Sequence, residues 1–149
     1  MDTTPAIEDV LADLDHATEL MLDGNCAPWR ELLSRRDDVT LLGAYGGHVQ
    51  GWPDVSARFD RTAKGYAGGG GTTVRENIAT WIGSDLACVV GLERHHTRLD
   101  DNTDPVTFVY RTTHVLRREN GAWKVVLRHA DPLASFRGPD FAHAPGPDR

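Results

Sequence analysis

Basic charge, cysteine and long apolar runs are all scarce in this chain, and each shortage excludes something. Lysine and arginine total 16 against 22 aspartates and glutamates, a net charge of −6. That is the opposite of the positive face a nucleic-acid binder presents to phosphates, so nucleic acid is not an expected partner. Two cysteines, Cys26 and Cys88, are too few for a disulfide framework and lack metal-ligand spacing, so both read as packing thiols. No stretch approaches the roughly 18 apolar residues of a membrane span, and the acidic start through Pro5 has no basic segment ahead of an apolar one. A cytoplasmic protein with no membrane partner is expected. With 149 residues and 40% hydrophobic content, the chain has apolar surface for one core and hardly two.

Helical periodicity opens the chain. Ile7, Val10, Leu11, Leu14, Ala17 and Met21 recur three and four apart and so share one helix face. Thr4 and Pro5 suit a cap and first helical position, and Gly24 suits the left-handed residue that ends a helix. A shorter helical segment carries Trp29, Leu32 and Leu33 and stops at the charged run 35–38. Residues 39–44 are β-branched and apolar enough for a short strand, which glycines at 43, 46, 47 and 51 break into a loop. Pro53 and Asp54 start a third helix whose inward side would be Val55, Phe59, Ala63 and Tyr66, ended by the four glycines at 68–71. That glycine run lacks the strand-to-helix setting and Lys-Ser/Thr ending of a phosphate-binding loop, so mobility, as in a lid, is its simplest reading.

The period then changes. Residues 72–82, 85–98, 106–118 and 122–130 are strand-like runs separated by clusters of Gly, Asp, Asn and Pro. Asn120-Gly121 supplies the positive φ values of a tight hairpin turn, which predicts an antiparallel meander. Strands this long twist and curl, giving a concave face for the helices. The expected architecture is α+β, one domain over residues 1–131, with a Pro-rich flexible tail over 132–149 that buries little.

Two segments, DDVTLLGAYGGHVQGW and YRTTHVLRRENGAWKVVLRHADP, resemble the SnoaL-like and ketosteroid-isomerase-like families of the nuclear-transport-factor-2-like superfamily. The likeness runs over nearly the whole chain and is most specific in the terminal hairpin. It implies a cone-like curved sheet packed against N-terminal helices and enclosing a pocket. It also implies frequent homodimers packed through the outer sheet face, no required metal or cofactor, and activities from isomerase through cyclase and dehydratase to none. Such a resemblance fixes fold and leaves the reaction open.

Candidate chemistry comes from strand alternation. Trp123, Val125, Leu127 and His129 share a parity that is apolar enough to point inward, and Phe108, Tyr110, Thr112 and His114 share another. His129, Asp131, His114 and Tyr110 then form the candidate catalytic set: a proton acceptor, an orienting carboxylate, and a hydroxyl donor for a developing oxyanion. The competing reading makes the histidines hydrogen-bonded core residues. His95 and His96 are adjacent, so a strand sends them to opposite faces. Glu93 is a candidate pocket carboxylate with a raised pKa, or else a surface partner of Arg94 and Arg98. Tyr45, Trp52, Phe59, Tyr66 and Trp123 offer aromatic surface for a planar ligand, or plain core. Ketosteroid isomerases use an aspartate base with a tyrosine and a protonated acid, and no local motif here aligns all three.

Three function classes follow. The first is a SnoaL-like protein holding a small, partly apolar metabolite, with acid-base catalysis. The second is a non-catalytic carrier. The third is a dimeric assembly module acting through its outer sheet face.

Overall fold

The computed structural model describes residues 5–66, 70–98 and 104–135. Thr4, Gly68, Gly69 and most of the expected tail lie outside the described residues. The elements run α1 (Ile7–Leu22), α2 (Ala27–Leu32), β1 (Thr40–Leu42), β2 (Val49–Gln50), α3 (Trp52–Lys64), β3 (Gly71–Ile82), β4 (Leu86–Thr97), β5 (Val106–Glu119) and β6 (Ala122–Pro132). One six-stranded curved, unclosed sheet has the order β2-β1-β6-β5-β4-β3. β3 to β6 form the expected antiparallel meander, while β1 joins it by a parallel pairing to β6.

α1 forms because its apolar face has somewhere to go: Ile7, Val10, Leu11, Leu14, Ala17 and Met21 are all buried. Its start differs from expectation. The helix begins at Ile7 after Ala6, whose backbone is extended and whose side chain caps nothing, so Pro5 precedes the first turn. Its end is as expected. Gly24 adopts φ +89°, the Gly24 amide donates to Met21 O and the Asn25 amide to Leu20 O, a paired closure that only a left-handed residue allows. On α3, Val55, Phe59, Ala63 and, just past its end, Tyr66 are buried. Asn120 and Gly121 have φ +51° and +77°, as a two-residue hairpin turn requires.

The helices pack on the concave face over Trp29, Leu33, Val39, Val89, Leu116 and Val125, all at most 2% exposed. Trp29 is the hinge between apolar core and polar interior. Its indole Nε1 donates to Thr18 at 2.9 Å, and its ring lies 5.1 Å from Phe59, 6.0 Å from His114 and 5.5 Å from the Arg128 guanidinium.

One irregularity decides which side chains face inward. In the β5–β6 pairing Leu116 opposes Val125, but the next residue, Val115, opposes Leu127, so Val126 is an extra residue on β6. Such a bulge inverts the alternation beyond it. Trp123 and Val125 point inward as expected, but after the bulge Arg128 and Ala130 are the buried residues, and Leu127 and His129 turn outward. A second bulge between Asn77 and Ala79 breaks β3.

Candidate functional site

The concave face carries a buried polar cluster because the inward positions of three neighbouring strands are polar at one end of the sheet. β4 contributes Glu93 and His95, β5 contributes Tyr110, Thr112 and His114, and β6 contributes Arg128, all buried. Arg75 reaches in from β3. Glu93 is the centre. Its Oε1 accepts from Arg75 Nη2 at 3.1 Å and Arg128 Nη1 at 2.9 Å, and its Oε2 accepts from Arg128 Nη2 at 2.9 Å and His95 Nε2 at 3.0 Å.

Full burial alone would push the Glu93 carboxyl upward. Arg128, the His95 hydrogen bond and the neighbouring charges outweigh that and hold it well below the usual carboxylate range. A pocket carboxylate with a raised pKa is thus corrected to a fixed anion. His114 accepts from Arg128 Nη1 through Nε2 at 2.8 Å, and burial first, then Arg128, lowers its pKa to about 3. It is therefore a neutral acceptor. His114 Nδ1 and Arg75 Nη1 are buried with no hydrogen-bond partner among the described residues. Arg75 also donates to Asp15 at 2.8 Å, so two guanidiniums face two carboxylates and the interior is charge-balanced.

Above this floor opens a two-part cleft. An inner chamber of about 60 Å³, room for a few ordered waters, is bounded by Tyr45, Phe59, Tyr66, His95, Tyr110 and Arg128. It continues into an outer vestibule of about 650 Å³ whose walls include Arg58, Arg61, Thr62 and Phe108. Tyr45 and Tyr66 belong to both parts, and their hydroxyls meet across the neck. Burial raises the Tyr110 phenol far above its ordinary value, and its hydrogen bond with Tyr45 adds to that. Both phenols are hydrogen-bond donors, not bases, at any working pH. His95 lies 5.4 Å from the Tyr110 ring. Because Glu93 is ionised, His95 donates to it through Nε2, and among the described residues its Nδ1 meets only the Thr73 hydroxyl, at 3.4 Å.

The structure brings Tyr110, Tyr45, Tyr66 and Phe59 together as cleft walls and sets Glu93 beneath them. It does not bring in the rest. The expectation that His129 faces inward is overturned by the Val126 bulge: His129 and Asp131 do pair, at 3.0 Å, but on the outer face with their side chains 45% and 52% exposed. His114 is inward yet lies behind Arg128, away from the chamber walls. Trp52 covers α2 and stacks under Arg30 and Arg35, and Trp123 packs in the core against Arg118. Neither borders the cleft. Arg128, Arg75, Arg58 and Thr62 were missed, and His95 was undervalued. Cys26 is a buried thiol that donates to Asp60 at 3.1 Å and is pushed up to about 11 by burial first and Asp60 second, which leaves it unreactive. Among the described residues no three His, Cys, Asp or Glu side chains converge as metal ligands, and no helix is long and apolar enough to cross a membrane.

A curved sheet wrapped on N-terminal helices, with its polar cluster on the concave side, is the nuclear-transport-factor-2-like fold, as the sequence resemblance implies. Solved structures agree. A nuclear transport factor 2 superfamily protein from Salmonella enterica is similar over 91% of this chain and 99% of its own, with TM-score 0.70 and 14% identity. A ketosteroid isomerase-like protein from Erwinia carotovora atroseptica matches over 85% and 95%, with TM-score 0.66 and 12% identity. A candidate calcium/calmodulin-dependent protein kinase type II association domain from Thiobacillus denitrificans matches over 88% and 98%, with TM-score 0.67 and 23% identity. No protein-family model and no curated protein sequence matches the chain.

Proposed function

We propose that the cleft binds a small, partly apolar organic molecule and that His95, oriented by Glu93, moves a proton to or from it, in chemistry of isomerase, cyclase or dehydratase type. The observation that carries this reading is the Glu93–His95 hydrogen bond of 3.0 Å at the floor of an aromatic cleft. An acceptor nitrogen, a carboxylate that stabilises the imidazolium once formed, and phenol donors facing the same space are the parts an enolisation needs. In that step a C–H proton beside a carbonyl passes to His95 Nδ1. The electron pair moves to the carbonyl oxygen, which accepts from Tyr110 or Tyr45, and the proton returns to a different atom or to solvent.

The test is deuterium exchange of 2-tetralone in D₂O, followed by NMR. Wild type should accelerate exchange, and His95→Asn should lose that acceleration by about 10²-fold or more, the usual range for a general base. Equal rates in the two proteins would end the catalytic reading and leave a carrier.

A second reading concerns assembly. Val74, Ile78, Trp81, Ile82 and Leu86 are each more than half exposed along β3 and at the start of β4, an apolar surface of the kind that marks protein contacts. Together with the similarity to an association domain, this supports self-association as a homodimer. Sedimentation of wild type against Trp81→Glu tests it, and an unchanged mass would remove that surface from consideration.

A further inference from the structure

Among the described residues, some cations of this acidic chain are held by carboxylates and others are not; Arg94, Arg98, Arg111 and Lys124 stand without a carboxylate along the sheet and away from the cleft, while three more stand together on α3. Arg30, Arg35, Arg36, Arg75, Arg117 and Arg128 each have a carboxylate within 4.0 Å. Arg58, Arg61 and Lys64 have none among the described residues, and they follow one another at three-residue intervals on α3, a single ridge with side chains about 5–6 Å apart. Arg58 and Arg61 are walls of the vestibule. Arg58 is also held in place: its Nη1 donates to Gly46 O at 3.2 Å and its guanidinium lies over Gly47.

The two ends of the cleft thus differ in kind. The floor is balanced, two guanidiniums against two carboxylates, and offers a guest hydrogen bonds without surplus charge. The mouth offers at least two unneutralised guanidiniums beside the rings of Tyr45, Tyr66 and Phe108. Lys64 and Arg61 also sit in the last turn of α3, where cations are favoured by the helix carbonyls. That accounts for their presence but not for Arg58, which lies a turn earlier against the cleft.

We infer that the ligand of this cleft is an amphipathic organic anion, whose uncharged ring end enters past Tyr45 and Tyr66 while a carboxylate, phosphate or sulfonate stays at the mouth against Arg58 and Arg61. This rests on the small-molecule reading of the cleft and adds the ligand's charge and its direction of entry. Ring stacking on the aromatic walls supplies affinity, and the ridge supplies orientation. A neutral analogue binds without that orientation. A ligand with its acidic group at the inner end meets a floor with no charge to spare.

The probes are 1-anilinonaphthalene-8-sulfonate and N-phenyl-1-naphthylamine, the same ring system with and without the anion, titrated by fluorescence. At low salt wild type should prefer the sulfonate by about tenfold, the scale of two exposed ion pairs. The preference should shrink at about 1 M salt, where screening acts over roughly 3 Å. Arg61→Glu combined with Lys64→Glu should abolish it, and Arg58→Gln should reduce it. Thr62→Trp, which fills the vestibule, should weaken both probes alike. A preference that survives the α3 substitutions and high salt overturns the inference while leaving the cleft a binding site. Full affinity for both probes in Thr62→Trp overturns the binding reading itself, and the inference with it.

Discussion

Substituting Glu93→Gln keeps the shape of the side chain and removes the one charge that Arg128, Arg75 and His95 share. In wild type both carboxylate oxygens only accept, from four donor nitrogens at 2.9–3.1 Å. A glutamine amide offers one oxygen and one nitrogen, so whichever way it turns its NH₂ confronts donors, and Arg128, 8% exposed, is left with an uncompensated charge. Removing one partner of a buried pair costs about 3–5 kcal/mol, a large part of the roughly 5–15 kcal/mol that holds a domain together. The midpoint of thermal unfolding should fall by about 6–20 °C. Urea unfolding followed by tryptophan fluorescence reads the loss, since Trp29 is fully buried 5.5 Å from the Arg128 guanidinium. The control is the double variant Glu93→Gln/Arg128→Met, which removes both charges and leaves Arg75 its bond to Asp15. It should be more stable than the sum of the single losses predicts by about 2 kcal/mol or more. A single-variant cost below about 1 kcal/mol, or strictly additive losses, would refute the account of Glu93 as the centre of the cluster.

Stability should also fall with acid below neutrality. His114 is held neutral with a pKa of about 3, so between about 6.5 and 3 the unfolded chain binds a proton the folded chain refuses, a slope of about 1.4 kcal/mol per pH unit. Glu93, held well below 4.5, adds a contribution of the same sign that is present above about 4.5 and lost as pH falls further. His114→Leu should flatten the slope between pH 6.5 and 4.5, and an unchanged slope in chemical-denaturation curves would contradict the neutral assignment. On the outer face, His129→Ala and Asp131→Asn should each cost no more than about 1 kcal/mol and leave 2-tetralone exchange at the wild-type rate; loss of exchange would restore that pair as a catalytic candidate. Gly91→Ala should lower the melting temperature by several degrees, about 1–3 kcal/mol, because a Cβ there would meet the Glu76 carbonyl oxygen at 2.5 Å. An undisturbed melt would mean that β3 yields easily.

What the sequence made legible was whatever rests on local periodicity. The buried face of α1, the inward set of α3, the Asn120-Gly121 turn and the parity that buries Tyr110 and His114 all follow from spacing, and the structure has each of them. The β6 parity was legible only as far as Val125. A bulge leaves no residue signature in a run of Val-Val-Leu, so alternation carried past it exchanged Arg128 for His129. Arg128 was missed for a second reason: an arginine counts as surface until its partner is known, and Glu93 lies 35 positions earlier in sequence on a strand two away. A retrospective signal exists in β4, where Glu93 and His95 are in phase with Ala87, Val89 and Gly91, a polar continuation of an otherwise buried stripe. The parallel docking of β1 on β6 had no local signal either, because nothing in a three-residue strand specifies its partner.

The extra residue at Val126 sets what this chain tolerates in length as opposed to composition. Deleting it would leave Arg128 two places after Val125, so the interior would keep its arginine and lose only the local bend that the bulge imposes. Inserting one residue between Val126 and Arg128 is a different matter: Leu127 or the new residue takes the inward place, Arg128 turns outward, and Glu93 is stripped of its counter-ion. Divergence among similar folds at this point of the last strand would therefore run through one-residue shortening that reshapes the cleft, while one-residue lengthening would replace its chemistry at a stroke.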